Sequence, residues 1–303
     1  MANNPAERIS FYDAISKNKW SSFFLILIIV IVLFALIFVI GLAFQVDIFF
    51  ILIIAIIITM LYVWISYYNS DKVALASVRA KPADERIHSN FYDAVEGLTL
   101  ASGLPMPKLY VMEDKNINAF ASGRDPKHSV ICVTTGALEK LNKQELEGVL
   151  GHELSHIANY DIRFMTIATV MVGMIAIISE IFLRSLWFGA GNSREDRGGA
   201  GAIFLIIGIV LAIIAPIVVM LVQLAISRKR EYAADASSVK FIRSPTGLIG
   251  ALKKIQKDEE TPPQKVSRAI APLFISDPFK KNFDNLLSTH PPLEKRIAIL
   301  EKM

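Results

Sequence analysis

The sequence has a single cysteine among 303 residues, and its charges nearly balance. One cysteine excludes an intramolecular disulfide and is typical of a reducing compartment. Cys132 lies in an apolar, strand-like run, which favours a small core residue over a nucleophile. The formal net charge is only +4, and the lysines and arginines are spread through the sequence. We therefore predict no nucleic-acid partner.

Charge is absent altogether from two long stretches near the N-terminus. Residues 21–44 contain no charged side chain, and residues 48–68 contain none either. Each stretch is long enough to cross a hydrocarbon core of about 30 Å as a helix. The hydrophobic share of 53% and the mean hydropathy of +0.46 are also high for a soluble domain. The sequence predicts an integral membrane protein with a transmembrane hairpin over residues 21–70, in contact with the lipid bilayer.

Basic residues flank this hairpin at both ends but not at its turn. Lys17 and Lys19 precede the first stretch and Lys72 follows the second, whereas residues 45–47 contain no lysine or arginine. Because cytoplasmic segments of membrane proteins carry an excess of basic residues, we expect both ends of the hairpin in the cytoplasm. Residues 1–20 then form a cytoplasmic N-terminal segment, which either lies on the membrane surface or is a solvated tail.

A soluble pattern begins at about residue 71. Residues 82–100 predict a helix that ends before Gly103 and Pro105. Three apolar runs are typical of strands: residues 107–112, 117–121 and 129–134. The turn-forming residues 122–126 join the last two as a hairpin. We expect a small antiparallel sheet, whose exposed edge would give an extended substrate main-chain hydrogen bonds.

The next helix carries the motif His-Glu-x-x-His. Asn142 followed by Glu145 predicts a capping box that starts this helix. His152 and His156 then lie one helical turn apart on one face, with Glu153 beside them. Two neutral imidazoles at this spacing bind a zinc ion, and the carboxylate is placed to take a proton from a water that the metal activates. We predict one zinc ion and Glu153 as the general base.

A catalytic zinc site of this type needs a third protein ligand. Glu231 is the candidate, and Asp235, one turn further on, can accept a hydrogen bond from a ligand histidine. Two more apolar stretches, residues 164–179 and 203–226, lie between the histidines and Glu231. Because the ligands must meet on one side of the membrane, the intervening chain crosses it twice or not at all. We favour two crossings; the alternative is a pair of apolar helices lying against the membrane.

The predicted fold is a predominantly α-helical integral membrane protein with four apolar helices and a zincin-type α+β catalytic domain. Residues 1–20 precede it as the N-terminal segment. The remaining chain divides into a transmembrane hairpin (21–70), the first half of the catalytic domain (71–163), a second apolar hairpin (164–226) and the second catalytic half (227–303).

Four motifs occur together in this order: Asn-Ala-Phe-Ala at 118–121, His-Glu-Leu-Ser-His at 152–156 followed by Asn159 and Asp161, Arg-Glu-Tyr-Ala-Ala-Asp at 230–235, and Ser-Thr-His-Pro-Pro at 288–292 with Arg296. This set resembles the HtpX-type membrane zinc proteases, bacterial relatives of the CaaX prenyl endoproteases, over essentially the whole chain. The resemblance implies a cytoplasm-facing endopeptidase of the inner cell membrane. Its implied substrates are misfolded or damaged membrane proteins.

The resemblance also implies roles for individual residues. His152, His156 and Glu231 are the expected zinc ligands, Glu153 is the base, and Asn159 joins Asp235 in supporting the ligands. The expected substrate-binding strand contains Asn118, Ala119 and Phe120, and the candidates for stabilising the oxyanion of the transition state are His290 and Arg296.

Two functions of other classes fit parts of the pattern. One is a membrane scaffold or holdase with a structural zinc ion, and the other is a metal transporter. A structural site closes all four positions around zinc and has no use for Glu153. A transport path needs histidines or carboxylates within the membrane, and the predicted spans contain none apart from Glu180. We therefore predict peptide hydrolysis by a zinc metalloendopeptidase.

Overall fold

The computed structural model of this chain describes residues 11–43, 47–166, 179–184, 206–210, 212–214, 230–258, 273–275 and 291–303. The helices are α1 (Phe11–Ala43), α2 (Ile48–Ser77), α3 (Ser89–Ser102), α4 (Thr135–Lys140), α5 (Lys143–Ala158), α6 (Thr246–Asp258) and α7 (Leu293–Leu300), and residues 230–242 are also helical. The strands are β1 (Lys81–Pro82), β2 (Lys108–Met112), β3 (Ala119–Asp125) and β4 (His128–Thr134).

Helix α2 is the element best suited to a membrane. Within the described part of the chain, it is the one helix long and apolar enough to cross a bilayer, over Ile48–Asn69 with a mean hydropathy of 3.0. Asp47 caps its start by accepting a hydrogen bond from the Phe49 N–H at 2.9 Å. Phe49 itself is 73% exposed, as expected for a side chain that faces lipid. The first predicted span falls within α1, in which Val30–Val39 is a shorter apolar stretch.

The second predicted apolar pair, residues 164–226, lies largely outside the described residues, as do residues 1–10. Its described fragments are helical. Phe182 and Ala212 from two of them pack against Leu36 of α1, and all three side chains are buried. The fragments therefore lie beside the first apolar helix, and the full set of four apolar helices stays a prediction.

The sheet is mixed, with the strand order β1-β2-β4-β3, so the prediction of a purely antiparallel sheet was wrong. β3 and β4 form the expected hairpin, but β4 lies between β3 and β2 and runs parallel to β2. The loop 113–118 crosses the end of β4, where the Gly136 N–H donates to the Asp114 carbonyl and the Thr134 N–H donates to the Asn118 carbonyl. This loop carries β3 to the far edge of the sheet. Alternating apolar residues indicate strands but not their neighbours.

Two predicted boundaries also shift. β3 continues through a bulge to Asp125, into the residues 122–126 that were expected to form the turn, and Gly123 in the bulge adopts a φ of 136° that favours glycine. The predicted helix begins only at Ser89, since Pro82 is paired with Tyr110 in the two-residue strand β1. The helix ends before Gly103, as predicted, and Gly103 adopts a left-handed conformation.

Helix α5 lies at the centre of the catalytic domain. The predicted capping box at its start is confirmed. Its apolar stripe is buried and consists of Leu146, Leu150, Leu154 and Ile157. The same core includes Leu252 of α6 and Leu300 of α7, so both predicted catalytic halves contribute to it. α5 and α6 cross closely enough that a Cβ on Gly148 would lie 2.4 Å from the Leu248 nitrogen.

Candidate metal centre

The two histidines of α5 point their rings at a common point. His152 Nε2 and His156 Nε2 are 3.2 Å apart, and both residues are buried. The spacing follows directly from the helix, because residues four apart lie one above the other on one face. The apolar stripe on the other side of α5 fixes the rotation of the helix, and hence the direction in which the rings point.

Glu231 completes a cluster of three donor groups. It lies on the helical residues 230–242, and its two carboxylate oxygens are each 3.5 Å from one histidine nitrogen, Oε2 from His152 Nε2 and Oε1 from His156 Nε2. The three residues form a group that could hold a metal ion. A tetrahedral zinc ion with bonds of about 2.0–2.1 Å has ligand–ligand distances of about 3.3–3.4 Å. The observed separations of 3.2–3.5 Å fit such an ion.

Each histidine has a carboxylate partner at its other ring nitrogen. His152 Nδ1 is 2.9 Å from Asp235 Oδ1, and His156 Nδ1 is 3.1 Å from Asp161 Oδ2. A proton on Nδ1 in each of these hydrogen bonds leaves the lone pair of Nε2 for a metal. Both carboxylates are buried, so the rings are held firmly.

The residue that supports His156 is one that sequence reasoning did not select. Asn159 was the predicted second supporting residue with Asp235, and the structure places it at the end of α5, where its N–H bonds to the Ser155 carbonyl. Asp161 contacts His156, and the supporting role of Asn159 stays a prediction. The signal was present, because Asp161 is the next carboxylate in the chain after the motif.

Two buried arginines contact these carboxylates. Arg296 of α7 donates two hydrogen bonds to Asp235, from Nε at 2.9 Å and from Nη2 at 2.7 Å. Its Nη1 lies 3.5 Å from Glu231 Oε2. Arg230 Nε lies 3.6 Å from Asp161 Oδ1, and its guanidinium stacks over the Phe164 ring at 4.1 Å. Each buried carboxylate is thus neutralised by a cation as well as by a histidine.

The electrostatics of the cluster favour a cation. Burial and the Arg296 guanidinium lower the pKa of His152, but hydrogen bonds to Asp235 and Glu231 outweigh them and raise it to about 9. Without a metal ion, the His152 ring is therefore protonated at both nitrogens at neutral pH. A metal ion bound at Nε2 would replace the proton on this nitrogen and would be attracted by the same carboxylates.

Glu153 lies beside the cluster and is 1% exposed. Burial raises the pKa of its carboxyl group, and the negative charge of Glu231 raises it further, against the opposite effects of the two histidines. The carboxylate also accepts a hydrogen bond from the Ala121 N–H of β3. This hydrogen bond links Glu153, beside the metal cluster, to β3 at the edge of the sheet.

The predicted substrate strand lies at that edge. Ala119 and Phe120 begin β3, which is the last strand of the sheet, and Asn118 immediately precedes them. All three are buried. Of the two oxyanion candidates, Arg296 adjoins the cluster, whereas His290 lies outside the described residues.

Comparisons with known proteins found a matching family and similar proteins. Residues 82–303 match the sequence model of the family described as Peptidase family M48. A protease HtpX homolog from Caldanaerobacter subterraneus subsp. tengcongensis is 48% identical over 246 residues, which are 80% of this chain and 82% of that protein. Another from Dictyoglomus thermophilum is 41% identical over 294 residues, covering 97% of this chain and 95% of that protein.

A solved structure, the crystal structure of S. mikatae Ste24p, also has similarity to this chain. The alignment has a TM-score of 0.48 and 18% sequence identity, and it covers 88% of this chain and 61% of that one. The family match and the HtpX relatives are sufficient by themselves, because they extend over most of the chain and include the histidine pair, Glu231 and the residues around them. The chain therefore belongs to peptidase family M48 and is a membrane metalloendopeptidase of the HtpX type.

Proposed function

We propose that this protein is a zinc endopeptidase that cleaves misfolded or damaged membrane proteins at the cytoplasmic face of the cell membrane. The observation that carries the proposal is the cluster of His152, His156 and Glu231 with Glu153 beside it, at distances that fit one tetrahedral ion. Two imidazoles and one carboxylate are a typical donor set for catalytic zinc, and three protein ligands leave one position open. The substrate class rests on the resemblance to the HtpX-type family.

When bound, zinc would act as a Lewis acid that polarises the scissile carbonyl and acidifies a water. Glu153 accepts the proton of that water and later passes it to the leaving amine. Burial raises the pKa of Glu153, which makes its carboxylate a stronger base than that of an exposed glutamate and so favours the first step. Asp235 and Asp161 keep the two imidazoles in one orientation and one tautomer.

The edge strand β3 is the proposed substrate site. An extended substrate segment pairs with the outer edge of this strand at Ala119, next to the hydrogen bond that links Ala121 to Glu153. Arg296 and His290 remain our candidates for the oxyanion. The hydrogen bonds from Arg296 to Asp235 support a role for this arginine in holding the ligands as well.

The proposed topology has the N-terminus, the site and the C-terminus in the cytoplasm, with hairpins at 21–70 and 164–226 crossing the membrane. The basic residues around the first hairpin support this orientation. The packing of Phe182 and Ala212 on α1 supports a second hairpin in the same layer as the first. The shared core of α5, α6 and α7 supports one catalytic domain assembled from residues 71–163 and 227–303.

Cleavage by membrane vesicles of known orientation tests this proposal. Inside-out vesicles that contain the protein are expected to cleave an added unfolded membrane protein, because the site then faces the medium. A chelator should abolish the cleavage and zinc should restore it. Right-side-out vesicles serve as the orientation control, and vesicles with the Glu153→Gln variant as the activity control. Equal cleavage by right-side-out vesicles would contradict the cytoplasmic location, and no cleavage by zinc-loaded inside-out vesicles would contradict the function.

Zinc affinity should also distinguish the two residues that follow the motif. Asp161→Asn is expected to weaken zinc binding by about 10- to 100-fold, because a neutral amide holds the His156 ring in its ligand orientation less firmly than the carboxylate does. Asn159→Ala, a change at the end of the same helix, should have a much smaller effect. Competition with a chromogenic chelator measures both affinities in detergent-solubilised protein. Equal losses in the two variants would show that Asp161 has no special role.

A further inference from the structure

The outer edge of β3 is already paired with another part of the chain. Phe120 and Phe274 form an antiparallel bridge, and the Ile275 N–H donates to the Ala119 carbonyl at 3.0 Å. The opposite edge of β3 pairs with β4, so the described residues 273–275 lie where an added strand would lie. The protein thus contains a short stretch of its own chain at the proposed substrate position.

Phe274 fills an apolar pocket at this position. It is 1% exposed, and its ring centroid lies 5.2 Å from that of Phe120 in an edge-on arrangement. The other buried side chains of this cluster come from the sheet, from the end of α2 and from the segment itself: Met112, Val130, Cys132, Ala74, Leu75 and Leu273. The pocket lies on the sheet face away from α5, where the membrane helix meets the catalytic domain.

The side chain of Arg296 connects the paired segment to the metal cluster. The Ile275 carbonyl accepts a hydrogen bond from Arg296 Nη1 at 3.3 Å, and the same guanidinium binds Asp235. On the strand itself, the Ala121 N–H donates to Glu153, two residues beyond the Ala119 carbonyl that Ile275 uses. A chain paired along this edge therefore passes directly beside the groups proposed to carry out hydrolysis.

We propose that residues 273–275 occupy the substrate strand position in the resting enzyme, and that the Phe274 pocket accepts a large apolar side chain of the substrate. This inference rests on the proposed function, because it takes β3 as the substrate strand. It names the substrate class more narrowly: an extended segment with a large apolar side chain, which is typical of an exposed core or membrane segment. Such a segment must first displace residues 273–275, so the two compete for one site.

A reversible disulfide tests the competition. Phe120 and Phe274 are directly opposite each other across a pair of antiparallel strands, which suits a disulfide. Cysteines at both positions, in a Cys132→Ala background, would fix the segment to β3 when oxidised. The zinc-loaded oxidised protein should cleave an unfolded substrate at least about tenfold more slowly than the same protein after reduction. The Phe274→Cys variant in the same background is the control, and oxidation should leave its rate unchanged.

Peptide binding tests the pocket without relying on cleavage. The probe is a fluorescent peptide with the sequence of residues 271–277, Ala-Pro-Leu-Phe-Ile-Ser-Asp. It is added to the protein that contains the same two cysteines together with Glu153→Gln, and the fluorescence anisotropy of the peptide is measured. The reduced protein should bind it, and the oxidised protein should bind at least about tenfold more weakly. Aspartate in place of the phenylalanine should weaken binding to the reduced protein by about 10- to 100-fold.

The outcomes separate the two proposals. Equal peptide binding by oxidised and reduced protein would overturn the competition, and equal binding of the phenylalanine and aspartate peptides would overturn the pocket. If the peptide binds as expected but the zinc-loaded parent protein cleaves no unfolded substrate, the proposed function fails while the inference on the edge strand stands.

Discussion

Replacement of Glu153 by glutamine is expected to lower kcat by about 10²- to 10⁴-fold while the metal stays bound, which is the contribution of a general base. Glutamine has almost the same volume, and its carbonyl oxygen can still accept the hydrogen bond that the Ala121 N–H donates to Glu153. The change therefore removes the proton acceptor and leaves the structure and the three donor groups in place.

The measurement is the rate of cleavage of an unfolded protein, together with the zinc content of the purified variant. Glu147→Gln is a matched control, because it makes the same substitution on the same helix at a partly exposed position. We expect parental activity in this control. A Glu153→Gln enzyme with parental activity would exclude this residue as the base, and one that has lost its zinc would show a role in binding.

Replacement of Glu231 by glutamine should act on the metal instead. Loss of one of three protein ligands is expected to weaken zinc binding by more than about 100-fold, beyond the effect of removing a supporting residue. The carboxylate also lies 3.5 Å from each histidine nitrogen and from Arg296, so its charge balances several cationic groups. A neutral amide cannot provide that balance.

Thermal unfolding in the presence of zinc measures this loss. Zinc should raise the Tm of the parent protein, because it binds only the folded state, and should raise that of Glu231→Gln much less at the same concentration. Lys240→Gln, at an exposed position on the same helix, is the control and should respond as the parent does. An equal zinc-dependent rise in Tm for Glu231→Gln would argue against Glu231 as a ligand.

The parts of the site that the sequence predicts are those determined locally. The capping box from Asn142 to Glu145 and the spacing of His152 and His156 depend only on the geometry of one helix. Glu231 was predicted for a different reason, namely the need of a catalytic zinc for a third ligand. The structure brings all three donor groups together, although their roles as ligands stay predictions.

The parts that the sequence did not predict depend on which distant segments meet. Nothing in the pattern of apolar residues indicated that β4 would lie between β2 and β3, or that Phe274 would pair with Phe120. The hydrogen bond between Asp161 and His156 was not predicted for a similar reason. Several polar residues follow the motif, and the conformation of the turn after α5 determines which of them reaches the histidine. Only the family resemblance predicted that Arg296 lies near the site. Its two hydrogen bonds to Asp235 could not be predicted from the sequence.

The long sequence separation between the parts of the site has a consequence for biosynthesis. Arg296, whose guanidinium binds Asp235 and adjoins Glu231, follows His156 by 140 residues. At a translation rate of about 5–20 residues per second, the ribosome needs about 7–28 seconds to make this stretch. The third donor, Glu231, is made about halfway through that time, and the supporting arginine only at its end. We therefore expect the metal cluster to be complete only after the C-terminal helix, which carries Arg296, has been made.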